Sequence, residues 1–114
     1  MIKLQQEMEH IQQEHACNGN GYIHKQFLFS TEEMEGKAKM CARITLPPGS
    51  SIGDHPHQPE AEIYYVLEGE ITVTDNDKRV RLHPGDAMFT GGGNRHSATN
   101  ETDREAVMMA IILW

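Results

Sequence analysis

The sequence predicts an all-β fold of the sandwich or barrel type, and three observations support this. From residue 20 onward, short runs rich in Ile, Val, Tyr, Phe and Thr alternate with Gly, Pro, Asn and Asp. Many short strands separated by turn residues are typical of sandwiches and barrels. The runs 63–67 and 106–114 are apolar on both faces, so each needs a second sheet or a second subunit to cover it. A chain of 114 residues has the size of one domain.

Eight segments carry the strand pattern, and they follow one another at short intervals. Residues 70–74 and 79–82 alternate apolar with polar around the turn 75–78, which predicts a hairpin with one face in water. The triplet at 84–86, Pro-Gly-Asp, predicts a turn before the strand that follows it. The predicted strands are 22–29, 38–46, 61–68, 70–74, 79–83, 86–90, 95–100 and 105–113.

Residues 1–20 differ in character and are predicted to form an N-terminal arm ahead of a single domain at 21–114. Leu4, Met8 and Ile11 are spaced four and three residues apart, which predicts a narrow apolar stripe on a short helix. A loosely packed arm fits the same residues equally well. No internal repeat, low-complexity tract or long linker divides the chain.

The composition excludes some classes of partner. Ten Lys and Arg against 17 Asp and Glu give a net charge of −7, which argues against nucleic acid and anionic membranes, since phosphate contacts need a basic patch. No apolar run approaches the ~20 residues of a bilayer span, and the first residues lack a signal peptide's apolar stretch. A cytoplasmic location is therefore expected. Cys17 and Cys41 match no redox or zinc spacing and are expected to be free thiols.

His55 and His57 flank Pro56, and this spacing is the first sign of a metal site. On a helix the two rings would lie about 200° apart, whereas on a strand they share one face with Cα atoms ~6.6 Å apart. Pro56 bars a helix interior and donates no ladder hydrogen bond, which favours a strand end or edge. Residues 58–61 can turn the chain back, so that Glu62 faces the same interior. Two imidazoles and a carboxylate form a facial set for a divalent metal.

A third histidine, His96, follows a glycine-rich turn, and the two regions together resemble the sequence motifs of the cupin family. The pattern Gly49-x5-His55-x-His57-x4-Glu62-x6-Gly69 matches the first motif at every defined position, over residues 49–69. The pattern Gly85-x5-Gly91-x-Gly93-x2-His96-x3-Asn100 is similar to the second motif, over residues 85–100. Gly91 stands where the family usually has Pro, so the turn before His96 is expected to be looser. The motifs span about half of the chain.

The resemblance implies a double-stranded β-helix, the small jelly-roll barrel of cupins, commonly dimeric and with one divalent metal ion inside. It implies that the four protein ligands are His55, His57, Glu62 and His96. A carboxylate facing a small barrel's interior without a cation or donors would tend to be neutralised, which makes Glu62 the critical member. These ligand types disfavour Cu(I) and a closed structural zinc site, but they do not distinguish Mn, Fe, Co, Ni and Zn.

Three residues outside the ligand set are candidates for the pocket wall. Tyr64 lies in phase with Glu62, and Arg43 lies with Cys41 on the strand before the first motif; each could point into the pocket or face out. Met88 lies in a predicted strand, where core filling and cavity lining are both open. The histidines interpreted as surface or hydrogen-bonded residues are His10, His15, His24 and His83.

A divalent ion on three neutral imidazoles and one carboxylate has a net charge of about +1, which favours a small anionic or enolisable oxygen ligand. The leading hypothesis is a metal-dependent enzyme acting on a small polar or anionic metabolite, by dioxygenase or isomerase/lyase chemistry. The alternative is a non-catalytic module that binds a sugar or an effector, because no general acid or base is evident besides the ligands. The expected partners are a small molecule and a second copy of the chain in a homodimer.

Overall fold

The computed structural model describes residues 1–114, which form ten strands and two single-turn 3-10 helices. The short helices are Gln5–Glu7 and Ala16–Asn18, and no helix is both long and apolar enough to cross a membrane. The strands are β1 (Glu9–Glu14), β2 (Tyr22–Phe29), β3 (Ala38–Leu46), β4 (Ser51–Pro56), β5 (Ala61–Glu68), β6 (Ile71–Asp75), β7 (Lys78–Leu82), β8 (Ala87–Thr90), β9 (Arg95–Thr99) and β10 (Ala106–Leu113).

The strands form two sheets that enclose the core between them. One sheet has six strands in the order β1-β2-β3-β10-β5-β8, and the other has four in the order β4-β9-β6-β7. Every pair of hydrogen-bonded neighbours is antiparallel. From β3 onward the chain passes repeatedly from one sheet to the other, as it does between β3, β4 and β5, whereas β6 and β7 are consecutive in one sheet. The architecture is a jelly-roll barrel, and the predicted fold class is confirmed.

Side chains from both sheets fill the space between them. Ile44, Tyr64 and Met108 come from the six-stranded sheet, and Ile71 and Val73 come from the four-stranded sheet. None of the five side chains is more than 3% exposed. Successive side chains of a strand point to opposite faces, so each buried residue is followed by one that points away from this core.

The strand pattern of the sequence corresponds closely to the observed strands. All eight predicted strands are present, with ends that differ by no more than one residue. The predicted hairpin is formed by β6 and β7, which pair from Ile71↔Leu82 to Asp75↔Lys78. Asn76 turns the chain with a φ of 54°, in the left-handed region that Asn tolerates better than most residues.

The N-terminal segment differs from the expectation. The helix predicted within residues 1–20 is wrong, because Glu9–Glu14 form the edge strand β1, which pairs with β2. Leu4 is 52% exposed and Ile11 is 36% exposed, so the apolar stripe has no packing face. A short helix without a buried face is marginal in water, whereas β2 offers a row of main-chain hydrogen-bonding groups. The strand end or edge expected around Pro56 is the six-residue edge strand β4.

Asn100 joins three parts of the chain beside the end of β9. Its side chain is fully buried, and its Nδ2 donates to the carbonyl oxygens of Leu46 at 2.8 Å and Arg104 at 2.6 Å. Its Oδ1 accepts from the main-chain N–H of Thr102 at 2.9 Å and from the Thr102 hydroxyl at 2.7 Å. Two donors and two acceptor positions are therefore all used, which fixes the connection between β9 and β10.

We expect Asn100→Ala to lower the free energy of unfolding by about 2 to 4 kcal/mol, because it leaves buried main-chain groups without partners. Chemical denaturation followed by circular dichroism measures the change. Asn20→Ala is the matched control, since Asn20 is exposed, and its effect should stay within about 0.5 kcal/mol. Similar small changes in the two variants would show that the buried amide does not hold this connection.

Candidate metal centre and its cavity

Four side chains from separate parts of the sequence meet inside the barrel. His55 lies in β4, His57 directly follows that strand, Glu62 lies in β5 and His96 lies in β9. Strands β4 and β9 are neighbours, and His55 is the direct cross-strand partner of His96. His57, Glu62 and His96 are buried, whereas His55 is half-buried. The structure therefore brings together all four residues that the sequence analysis selected.

The donor atoms of these side chains form a compact cluster. Nε2 of His55 lies 3.1 Å from Nε2 of His57 and 2.9 Å from Nε2 of His96, and the latter two atoms are 3.0 Å apart. Oε1 of Glu62 lies 2.9 Å from Nε2 of His57 and 3.2 Å from Nε2 of His96. All four donor atoms lie within 4.8 Å of one another.

These separations suit a single divalent cation. Neighbouring ligands of a six-coordinate ion, each ~2.1 Å from it and at right angles, lie about 3.0 Å apart. Without a cation, three ring nitrogens that face one another cannot all be satisfied, because each neutral ring offers only one proton or one lone pair at Nε2. Three imidazoles and one carboxylate are ligands that suit first-row divalent metals. The cluster is a candidate metal site by both spacing and chemistry.

Hydrogen bonds on the far side of the rings orient two of the three imidazoles. Nδ1 of His55 lies 2.7 Å from the main-chain oxygen of the residue two positions earlier. A carbonyl oxygen can only accept, so Nδ1 carries the proton and the neutral ring directs a lone pair from Nε2 into the cluster. Nδ1 of His96 lies 2.9 Å from the hydroxyl of Thr90. Nδ1 of His57 is buried without a hydrogen bond, 3.7 Å from a carboxylate oxygen of Glu60.

Burial also affects the protonation of His55 and of Tyr64 beside the cluster. Desolvation lowers the pKa of His55, against the effect of its main-chain hydrogen bond, which favours the neutral form that a metal needs. The ring of Tyr64 stacks on His96 with an interplanar angle of 10°, and its hydroxyl lies 3.3 Å from Nε2 of that residue. Burial, followed by the charge of Glu62, raises the pKa of Tyr64 well above its usual value. The phenol therefore stays protonated at neutral pH.

A cavity of about 180 Å³ lies beside the cluster. His55, His57 and Glu62 line it, together with Tyr64. Isoleucines from β2, β3, β4 and β10 provide much of the remaining wall; they are Ile23, Ile44, Ile52 and Ile112. Three of the four candidate ligands therefore face a small and mostly apolar chamber.

The N-terminal segment closes one side of this cavity. Gln13 of β1 and Cys17 of the turn that follows it are part of the wall. Glycine permits the close approach of this turn to β4, because a Cβ at Gly53 would lie 2.1 Å from the main-chain oxygen of Cys17. A Cβ at Gly19 would lie equally close, at 2.1 Å, to a main-chain oxygen of β4. The segment expected as a loosely packed arm is part of the site.

Lys25 is the one Lys or Arg side chain that lines the cavity. It lies on the inner face of β2, between Ile23 and Phe27, and it is half-buried. Burial lowers the pKa of its amine, while Glu62 and Cys17 act in the opposite direction. Burial raises the pKa of the Cys17 thiol, so that thiol is neutral at neutral pH.

The three candidates for the pocket wall have different positions. Tyr64 lines the cavity. Arg43 points outward from the outer face of β3, and its guanidinium lies 3.7 Å from the carboxylate of Glu68. Cys41 shares that outer face. Met88 fills the core and does not line the cavity: it packs against the apolar core and is not among the cavity-lining residues.

The sequence analysis missed several residues of the cavity wall, and the polar ones among them are Gln13, Cys17, Lys25 and Glu60. The period of two along the predicted strand 22–29 places Lys25 on the same face as Ile23 and Phe27, so a signal for its inward direction was present. Gln13 and Cys17 carried no such signal, because the sequence does not show that their segment extends the sheet. The four histidines outside the cluster are all exposed; they are His10, His15, His24 and His83.

Comparison with known proteins identifies similar chains. A family model described as Cupin domain matches residues 42–112. The chain is 43% identical over 95 residues, 83% of this chain and 78% of the relative, to a protein from Thermotoga maritima named oxalate-binding protein. It is 35% identical over 51 residues to quercetin 2,3-dioxygenase from Bacillus subtilis, a match that covers 45% of this chain and 15% of that enzyme.

A solved structure gives the same result for the whole chain. A protein from Thermotoga maritima described as a predicted oxalate decarboxylase superposes with a TM-score of 0.93 at 38% identity. The superposition covers 99% of this chain and 98% of that protein, so it includes the N-terminal segment as well as the barrel.

Proposed function

The chain belongs to the cupin family, and we propose that it holds one divalent metal ion on His55, His57, Glu62 and His96 and binds a small oxalate-type carboxylate there. The observation that carries this proposal is the convergence of three imidazole nitrogens, 2.9 to 3.1 Å apart, with a buried carboxylate at the wall of a small cavity. When bound, the ion supplies positive charge and open positions for the oxygens of a ligand.

The size of the cavity supports a ligand of a few atoms. Pockets for drug-sized molecules measure roughly 300 to 1,000 Å³. The cavity beside the cluster measures about 180 Å³, which suits a two-carbon acid better than a molecule of the size of quercetin. The names of the relatives similar over most of the chain, an oxalate-binding protein and a predicted oxalate decarboxylase, agree with this size.

The charge of the site supports an anionic ligand. Three neutral imidazoles and one carboxylate leave a divalent ion with a net charge of about +1. The surrounding wall is largely apolar, and a low local dielectric strengthens the attraction between this charge and an anionic ligand. A carboxylate oxygen satisfies both the charge and the preference of such ions for oxygen ligands.

A second candidate function is turnover of the same ligand, and the presence of Glu60 in the cavity wall favours it. A carboxylate that reaches the ligand can accept or deliver a proton. Glu60 is also held by Lys39, at 2.8 Å, and lies 3.7 Å from His57, which favours a role in orienting that ring. The protonated phenol of Tyr64 and the neutral thiol of Cys17 are not bases at neutral pH. Binding is therefore the leading proposal, and dioxygenase or isomerase/lyase chemistry stays a prediction.

We expect about one divalent ion per chain in protein purified without chelators, measured by elemental analysis. His57→Ala and His96→Ala should weaken metal binding by at least ~100-fold, because loss of a ligand should exceed the 10- to 100-fold effect of losing an outer-shell partner. His24→Ala is the control, since this exposed histidine lies outside the cluster. Circular dichroism verifies that the variants fold. Full metal occupancy in both cluster variants would contradict the proposed ligand set.

We expect oxalate to bind the metal-loaded protein and not the metal-free protein, because the open positions of the ion are the main attachment. Isothermal titration calorimetry measures the affinity, and thermal unfolding provides a second measurement. At a ligand concentration of 100 times Kd, the stabilisation should be about 2.7 kcal/mol. Equal affinity with and without metal would refute a metal-dependent mode of binding. Release of formate, CO₂ or peroxide from oxalate under the same conditions would favour the catalytic candidate.

The outer face of the six-stranded sheet supports the proposal that two copies of the chain associate. Tyr65 is 44% exposed and Phe89 is 64% exposed, and both lie on this face, as does Ile63. Its centre on β10 is also apolar, at Met109 and Ile111. An apolar face of this kind pairs with itself when two identical chains meet about a two-fold axis, and a second copy is the occupant that we propose.

We expect light scattering to give twice the 12.9 kDa mass of the chain, and Phe89→Glu to convert the protein to monomers. A carboxylate at this position would be desolvated in the pair without a counter-charge. Ile2→Glu is the matched control, because Ile2 is 89% exposed at the N-terminus, and it should leave the mass unchanged. A wild-type protein that is monomeric at micromolar concentration would contradict association through this face.

A further inference from the structure

We propose that Lys25 is the specificity-determining residue of the cavity, and that it selects a dianionic dicarboxylate over a monoanion of the same size. One carboxylate of the ligand occupies the metal, and the other receives the ammonium of Lys25. This inference rests on the proposed function and goes beyond it, because it assigns the choice of ligand charge to a residue outside the metal ligands.

Lys25 shares the cavity with three of the candidate metal ligands. Its side chain lines the same cavity as His55, His57 and Glu62, so a ligand on the cluster shares the chamber with its ammonium. Across the sheet, Lys25 pairs with Ile11 on β1 and with Ile44 on β3, so both of its direct neighbours are apolar. An apolar residue at this position would continue the pattern of the inner face, but the chain has a lysine there.

The ammonium of Lys25 has no partner within the protein. Lys25 makes no hydrogen bond or ion pair with the protein, and it is half-buried. By contrast, Lys3, whose side chain is 17% exposed, contacts Glu33 at 2.7 Å, and even the exposed Lys39 contacts Glu60 at 2.8 Å. An ammonium in a largely apolar chamber is unfavourable without a counter-charge. A bound anion supplies that counter-charge.

In the proposed site, the metal centre and Lys25 both contribute positive charge to the chamber. Glu62 is the carboxylate whose charge acts on the ammonium of Lys25. In the proposed site, however, the metal ion already balances the charge of Glu62. The ion with its ligands contributes about +1, and Lys25 contributes one further positive charge. A dianion neutralises both, whereas a monoanion leaves one charge in the chamber uncompensated. The preference for two carboxylates follows from this balance.

Gln13 supplies a further polar group on the same wall. Its Oε1 is buried without a hydrogen-bond partner, and the residue lines the cavity beside Lys25. The two ends of a carboxamide exchange places by rotation, so the same group can direct an N–H donor at a carboxylate. The wall facing the cavity therefore carries an ammonium and an amide, both without protein partners.

Calorimetric titration of oxalate and glyoxylate tests the inference, because the two ligands have similar size and differ by one charged carboxylate. The metal-loaded proteins are the wild type, Lys25→Met, Lys25→Arg and the exposed control Lys78→Met. Lys25→Met should lose about 10- to 100-fold in oxalate affinity, the loss expected for a charge-assisted hydrogen bond, and less than ~3-fold in glyoxylate affinity. Lys25→Arg should keep most of the preference for oxalate, and Lys78→Met should behave as the wild type.

Elemental analysis and thermal unfolding separate this role from a structural one. Lys25→Met should keep its metal content and its folded state, because methionine fills similar space and removes an uncompensated charge. Equal losses for the two ligands, unchanged oxalate affinity, or loss of metal in Lys25→Met would each overturn the inference and leave the proposed function standing. A metal-loaded wild-type protein that binds neither ligand would contradict the proposed function, and the inference with it.

Discussion

The close approach of three imidazoles and one carboxylate inside the barrel, where they cannot all satisfy one another, is the constraint on which the proposed site depends. Three imidazole nitrogens and a carboxylate oxygen lie within 4.8 Å of one another, and three of the four side chains are buried. Such groups satisfy one another poorly, since each neutral ring has a single proton to give and the carboxylate has none. A divalent cation among them would resolve this conflict, and in the proposed function it makes the centre of the protein a site for an anion.

Strand pairing in the jelly-roll fold brings these groups together from separate parts of the sequence. An edge strand brings His55 directly opposite His96, and the turn after it returns the chain so that Glu62 faces the same interior. The turn after β1 packs against this edge strand at Gly53 and closes one side of the cavity. The candidate metal ligands, the small cavity and the unpaired Lys25 therefore belong to one arrangement, in which charged and polar groups are enclosed by a largely apolar wall.

Local patterns predict an all-β fold and the set of His55, His57 and Glu62, while the resemblance to the cupin motifs implies the jelly-roll barrel and adds His96. Short runs of β-forming residues between turn residues identified eight strands, and the spacing of His55 and His57 around Pro56 indicated a strand end or edge with both rings on one side. Other features depend on contacts between distant segments. Gln13 reaches the cavity only because β1 extends the six-stranded sheet, and no pattern within residues 1–20 indicates that pairing. The direction of Arg43 follows from strand register, which a single strand's sequence leaves open.

Anomalous diffraction from crystals grown without chelators, recorded above and below the absorption edge of the bound metal, tests the central claim most directly. The account predicts one anomalous peak per chain, about 2.0 to 2.2 Å from Nε2 of His55, His57 and His96 and from a carboxylate oxygen of Glu62. A metal-replete preparation whose peak lies elsewhere, or whose four side chains point away from one another, would contradict it.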